Sequence, residues 1–243
     1  MKTGITKFKL GLLAAVAMFV LCLCVTARLA GRDEPHFYIA HGGGAIEGHP
    51  VTNTLEAVDN AISRGVKYIE LDLVTTSDGQ LVAAHDWGTF AEQTGVEASA
   101  ASPPAYDTFR RSRVYGKFKP MTAEMIDSVL RANPDIHLVT DKIQDMALVD
   151  KSLGDFRDRM LVECFSKEQY SECQRLGYTP MHSYRNLSPS GLHAVGLESK
   201  SFFLRHFLPR DYAVFSNQRI SAHEADSIFN AEPRVKYIYV DFL

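Results

Sequence analysis

The chain has 243 residues, 46% of them apolar, which is enough for one domain with a sizeable core. Its formal net charge of -3 and pI near 6.3 give no argument for a nucleic-acid partner. Arg110, Arg111 and Arg113 form the densest local basic run, and a run that short reads as a solvated face.

Residues 1–32 read as a targeting segment. Lys2, Lys7 and Lys9 precede an unbroken apolar run from Leu10 to Val25, the pattern of a signal peptide or a signal anchor. The run is at the short end for a bilayer span. Val25-Thr26-Ala27 offers a small-residue cleavage site, so the segment is either retained as an inner-membrane anchor or cut to release a secreted protein. The lysines favour a cytoplasmic N-terminus, with the remainder exported. Leu21 and Leu23 precede Cys22 and Cys24, which does not suit lipid modification of either cysteine.

From residue 33 to 243, strand and helix signals alternate, as in a parallel α/β fold. Phe37 to Ala40 is the first strand, and a glycine-rich loop from Gly42 to Gly48 follows. Asn53 or Thr54 caps a helix whose apolar face is Leu55, Val58 and Ile62, ending at Gly65. Val66 to Val74 is the second strand, Asp78-Gly79 a hairpin turn, and Gln80 to Ala84 runs back toward His85. Residues 87–119 break the alternation and read as a long loop or small insertion.

Beyond it, Thr122 caps a helix through Arg131, and Ile136 to Thr140 is a strand ending at Asp141-Lys142. Met146 to Arg159 is predicted helical, Met160 to Phe165 a strand, Lys167 to Leu176 a helix and Tyr178 to Tyr184 a strand. A helical stretch is expected over 190–206, then strands at Tyr212–Ser216 and Lys236–Phe242 flanking a helix at Ser221–Asn230. About eight strands result, the number of a small TIM (β/α)8 barrel.

Polar groups stand where apolar runs stop or within them: His41 after Phe37–Ala40, Glu70 and Asp72 within Tyr68–Val74, His85 after Leu81–Ala84. A strand alternates faces with period two, so Glu70 and Asp72 share one face. Two adjacent carboxylates repel, and burying them requires a neutralising cation, which a hard divalent metal supplies. The histidines add groups that take or give a proton near neutral pH. Singly, each of these residues is an ordinary structural group. Their concentration in one βαβ-sized segment is what points to a site.

The run His41-Gly42-Gly43-Gly44, Thr52-Asn53-Thr54-Leu55-Glu56-Ala57, Ile69-Glu70-Leu71-Asp72, Thr75-Thr76-Ser77-Asp78-Gly79 and Leu81-Val82-Ala83-Ala84-His85-Asp86 resembles the glycerophosphodiester phosphodiesterase family. That family lies among the phospholipase-C-like phosphodiesterases. The resemblance implies a TIM barrel and one divalent metal, Ca²⁺ or Mg²⁺, held by Glu70, Asp72 and an acid from a later strand, for which Asp141 is the candidate. It also implies His41 and His85 as general acid and base, and an insertion at 87–119 that helps cover the substrate. The implied substrate is a small or phospholipid-derived phosphodiester. A lyase or transferase acting on a phospholipid or surface-glycan phosphodiester is the rival reading, as is a non-catalytic, membrane-tethered barrel that binds a phosphorylated ligand.

Two positions depart from the family pattern. Gly42 stands where many members carry arginine after the first histidine. The phosphate's charge must then be met by the metal, by backbone N–H groups of Gly42 and Gly43, or by a distant arginine. Asp141 and Lys142 are adjacent where the family has acid-x-Lys, so only one should point inward without a bulge. Asp141 is expected inward, with Lys142 a lesser substrate contact. Glu163 lines the barrel or is a core-edge carboxylate, and Tyr184 or Asn217 contacts substrate. Cys164 and Cys173, in a strand and the following helix, can form a disulfide if exported, and their geometry decides whether they do.

Overall fold

The computed structural model describes residues 15–19, 22, 36–184, 192–197, 211–216, 220–231 and 235–243. The targeting segment over 1–32 therefore lies almost wholly outside the described residues. Among the described residues, no helix is long and apolar enough to cross a membrane.

The strands are β1 (Phe37–Ala40), β2 (Tyr68–Thr75), β3 (Leu81–Ala83), β4 (His137–Asp141), β5 (Met160–Cys164), β6 (Thr179–Tyr184), β7 (Leu192–Leu197), β8 (Asp211–Ser216) and β9 (Val235–Val240). The sheet order is β1-β9-β8-β7-β6-β5-β4-β2-β3, and β1 also pairs with β2 through Ile39 opposite Tyr68 and Ala40 opposite Ile69. That last pairing closes eight strands into a barrel and leaves β3 outside it as the return arm of a hairpin on β2. The fold is thus the expected α/β TIM-type barrel, with one departure that also shows in the count, since the eight expected strands included the arm at 80–84 that the barrel leaves out.

The departure is β7. A helix was expected over 190–206, yet Leu192–Leu197 is a strand antiparallel to both β6 and β8. Gly191 and Gly196 disfavour a helix here. The gap between β6 and β8 offers an extended segment backbone partners on both edges, and ladder formation outweighs the weak helical pattern.

The helices are α1 (Leu55–Ser63), α2 (Trp87–Thr94), α3 (Tyr106–Arg111), α4 (Ala123–Ala132), α5 (Met146–Leu153), α6 (Lys167–Leu176) and α7 (Ala222–Ala231). Thr122 caps α4 as predicted, accepting from the Met125 N–H. The helix expected over Met146–Arg159 ends at Leu153, and Gly154–Arg159 tightens into a 3-10 turn. The segment 87–119, expected as a long loop or small insertion, folds into α2 and α3. Trp87, Phe90 and Phe109 pack there against Val82 and Ala84, with the Phe90 and Phe109 rings stacked at 4.9 Å.

Two apolar layers result. Between barrel and helices lies the main core, built from Ile69, Leu71, Leu138, Met160 and Val162 on the outer strand faces, with Val58, Ile126 and Val149 from the helices. Inside the barrel, Ile39, Tyr68, Val139, Leu161, Met181 and Tyr239 form a smaller cluster flanked by Phe37 and Tyr237. Period two explains the division: alternate residues of one strand supply opposite layers.

Candidate active site

The inward columns of the barrel end in polar groups. Phe37 and Ile39 lead to His41, Tyr68 to Glu70 and Asp72, Val139 to Asp141, and Tyr237 and Tyr239 to Asp241. Register places Asp72 directly opposite Asp141 on the parallel pair β2–β4. These ends lie at the carboxyl side of the strands, where barrels of this class carry their sites.

Glu70, Asp72 and Asp141 each present a ligand oxygen within 4.8 Å of the others. Glu70 and Asp72 are 3% and 1% exposed. Burial pushes the Glu70 carboxyl well above its usual range, and the charges of Asp72 and Asp141 push it further. Asp141 is driven up to about 9, by burial first and then by Asp72. Its Oδ1 is buried with no hydrogen-bond partner in the described structure. Three acids crowded in low dielectric, one with an orphaned oxygen, form an all-oxygen donor set that fits a hard divalent cation.

Three hydrogen bonds hold Glu70 and Asp72 in place. The Gly42 N–H donates to Glu70 Oε2 at 2.6 Å. Gly42 has φ +55°, and a Cβ there would sit 2.5 Å from Val51 Cα, so no larger residue fits without moving the backbone. Asn53 grips Asp72 twice: its Nδ2 donates to Asp72 Oδ2 at 2.9 Å, and its Oδ1 accepts from the Asp72 N–H at 2.9 Å. The expected capping of α1 falls to Thr54, which makes no side-chain cap bond. Gly43 is buried, with φ +85° against Val58.

Lys142 corrects the sequence expectation. Strand alternation predicted that Asp141 and Lys142 face opposite ways, but β4 ends at Asp141 and Lys142 turns into the left-handed region, φ +61°. Its Nζ thereby comes within 3.7 Å of Asp72 Oδ1, 3.9 Å of Asp141 Oδ2 and 3.5 Å of His85 Nε2. Both residues face the site. The Lys142 ammonium is held above its ordinary range: burial opposes the charge, but Asp141, Asp72 and Glu70 outweigh it.

Each histidine leans on a carboxylate. His41 Nδ1 is 2.8 Å from Asp241 Oδ1, and His85 Nδ1 is 2.7 Å from Asp86 Oδ2. A neutral imidazole whose Nδ1–H donates to a carboxylate keeps its Nε2 lone pair for a ligand or proton. Burial raises the Asp86 carboxyl, yet the Thr89 N–H, the His85 ring and the Thr89 hydroxyl bring it down to about 2. His85 does not end a barrel strand. It arrives on β3, which runs back along β2 so that the Ala84 N–H donates to the Asp72 carbonyl.

Glu163 lies on β5, buried, and its charge contributes to the raised pKa of Asp141, so it faces the acid cluster from the barrel interior. Tyr184 ends β6, and its side chain, like Asn217, lies outside the described residues. Three residues were missed as site groups: Asp241, Asn53 and Asp86. For Asp241 the signal was present, because it follows the apolar run Tyr237–Val240 just as His41 follows Phe37–Ala40.

A closed barrel with paired histidines around an acid triad defines a class, and comparison with known proteins places the chain within it. The model of the glycerophosphoryl diester phosphodiesterase family matches residues 42–172. Among solved structures, a protein of Galdieria sulphuraria is similar at TM-score 0.61 and 16% identity, covering 86% of this chain and 94% of that one. The glycerophosphoryl diester phosphodiesterase domain of a Mycobacterium tuberculosis protein gives TM-score 0.58 at 14% identity, covering 86% and 97%. A glycerophosphodiester phosphodiesterase of Thermotoga maritima gives 0.56 at 16%, covering 86% and 96%. No curated protein matches. The chain belongs to the glycerophosphoryl diester phosphodiesterase family and is a phosphoric diester hydrolase.

Proposed function

We propose that the protein hydrolyses a glycerophosphodiester or closely related phosphodiester, with His41 and His85 exchanging protons and Glu70, Asp72 and Asp141 holding one divalent cation, Ca²⁺ or Mg²⁺. The observation that carries this is the acid triad within 4.8 Å, with a carboxylate-anchored histidine beside it on each of two segments: His41 precedes Gly42, whose N–H holds Glu70, and His85 Nε2 is 3.5 Å from Lys142 Nζ. A bound cation supplies Lewis-acid withdrawal of charge from the phosphoryl oxygens. The chain's own groups do the rest. One imidazole takes the proton of the attacking water at its Nε2, and the other gives a proton to the departing alkoxide. Asp241 and Asp86 hold the rings by Nδ1 and stabilise the imidazolium form, which the base reaches on taking the proton and from which the acid gives one up. Lys142, the cation nearest Asp72 and Asp141 in the described structure, stands ready to meet a phosphoryl oxygen where Gly42 offers no arginine.

The same chemistry on a substrate with a neighbouring hydroxyl would give a cyclic phosphate. Separating products by phosphorus NMR distinguishes the two outcomes. The test of the main reading is turnover of glycerophosphodiesters and a chromogenic phosphodiester with and without chelator: activity lost on chelation and restored by Ca²⁺ or Mg²⁺ is expected, and undiminished turnover in chelator refutes the cation. We further propose that residues 1–32 export the barrel, retained as an inner-membrane anchor or cut to release it. Fractionation and N-terminal sequencing of the mature chain test this.

A further inference from the structure

Outside the catalytic cluster, a pair of cysteine side chains is built into the core of the fold. Cys164 ends β5 and Cys173 lies in the second turn of α6, and their sulfurs are 3.6 Å apart. Both are buried, at 2% and 0% exposure. The two side chains reach toward each other across the strand–helix gap, and only about 1.5 Å of approach separates them from the ~2.05 Å of a bonded pair. Both Cys164 and Cys173 pack in the core that joins barrel to helices.

We propose that Cys164 and Cys173 are an intramolecular disulfide in the mature, exported protein, bracing α6 against β5 behind the active site. The inference rests on the export reading for its oxidising compartment. In thiol–disulfide exchange with a disulfide donor, the two thiols give up two protons and two electrons, the Sγ–Sγ bond forms, and the donor's disulfide is reduced to two thiols.

The bond has a route to the site. From the first turn of α6, Gln169 Nε2 donates to the Ile143 carbonyl at 2.9 Å, and its Oε1 accepts from the Phe165 N–H at 3.0 Å. Ile143 directly follows Lys142, whose left-handed backbone brings its ammonium to Asp72 and Asp141. Glu163, which faces the acid cluster, directly precedes Cys164. A covalent tie between β5 and α6 therefore limits how far the Asp141–Lys142 turn and Glu163 drift.

Trypsin separates the two cysteines into peptides 160–167 and 168–175, so the bond is read directly as a joined pair that parts on reduction. The full-length chain, purified in mild detergent, is refolded in mixed oxidised and reduced glutathione, alkylated, digested and weighed. The joined pair is expected, with a thermal midpoint about 5–10 °C higher than after dithiothreitol. That difference should disappear in Cys173→Ser. Alkylated Cys164 and Cys173 in the refolded protein, or a bond from either to Cys22 or Cys24, overturns the proposal. Alkylation of intact cells before lysis then separates the readings. A bond that forms in glutathione but is absent in cells defeats export rather than the geometry, and chelator-sensitive turnover in the same samples reports on the catalytic reading independently.

Discussion

The two imidazoles of the site are held by the same chemistry in opposite ways. His41 and its carboxylate Asp241 are 200 positions apart in sequence and meet at 2.8 Å because β1 and β9 pair in register. His85 is anchored by its immediate neighbour, Asp86, at 2.7 Å. The first arrangement exists only when the barrel closes. The second is a local unit, and Asp86 also caps α2 through the Thr89 N–H. One histidine is therefore a reporter of barrel closure, and the other is anchored by its own neighbour on a hairpin that is itself tied down where the Ala83 N–H donates to the Met121 carbonyl.

The largest expected effect removes both partners of the comparison. His41→Ala and His85→Ala should each lower turnover on a chromogenic phosphodiester by about 10²–10⁴-fold, with the far-UV circular dichroism unchanged. Normal turnover in both would falsify the acid–base assignment.

Metal affinity should respond next. Asn53→Ala frees Asp72, and the affinity for Ca²⁺ or Mg²⁺ measured by calorimetry should fall about 10–100-fold, as for other groups that orient ligands. Retained affinity would assign Asn53 to the backbone turn alone, where it already has φ +54°.

The comparison sharpens with the anchoring carboxylates. Asp241→Asn should cost about 10-fold or more in turnover and shift the pH profile, since nothing else in the described structure holds His41 Nδ1. Asp86→Asn should cost less, because the His85–Asp86 pair is the more exposed, at 40% and 52% against 31% and 24% for His41 and Asp241, and water can meet Nδ1 there. Equal losses would break the distinction between a tertiary and a local anchor.

Stability against pH gives a test that needs no substrate. The folded-state pKa of Asp141 is raised to about 9 from an ordinary 3.8, and that of Glu70 is raised in the same direction. The folded chain then binds more protons than the unfolded chain across that window, so stability without metal falls as pH rises from about 4 to about 9. Added divalent cation should release protons and remove the slope, checked by thermal denaturation at a series of pH values. A flat metal-free profile contradicts the crowding of the acids.

The smallest effect is structural. Asp86→Ala removes the α2 cap at a cost of about 1 kcal/mol, lowering the thermal midpoint by about 2–4 °C.

Some of this was legible along the chain. Alternation in Tyr68–Val74 put Glu70 and Asp72 on one face, and that local rule survives in the folded barrel because β2 is regular through both. The hairpin at Asp78-Gly79 and the Thr122 cap were likewise local and hold. Lys142 was kept as a lesser substrate contact, but the side to which it points was misread because the same alternation rule was extended one residue past the end of β4, where the backbone is no longer a strand. The strand Leu192–Leu197 was misread because pairing on both edges outweighs a weak helical pattern, and a window short enough to read local periodicity does not contain β6 and β8 together with it.

Asp241 marks the boundary between the two kinds of information. Its position at the end of an apolar run was as visible as that of His41, but its partner was not, because the contact is made by barrel closure. The sequence by itself determined which side chains are acidic, imidazole or glycine and which of them share a strand face, since those follow from residue chemistry and period two. Only the tertiary structure decided that Asp141 converges on the buried Glu70 and Asp72, that Lys142 turns back to them, and that His41 finds Asp241, because these depend on distances between segments that are remote in the chain.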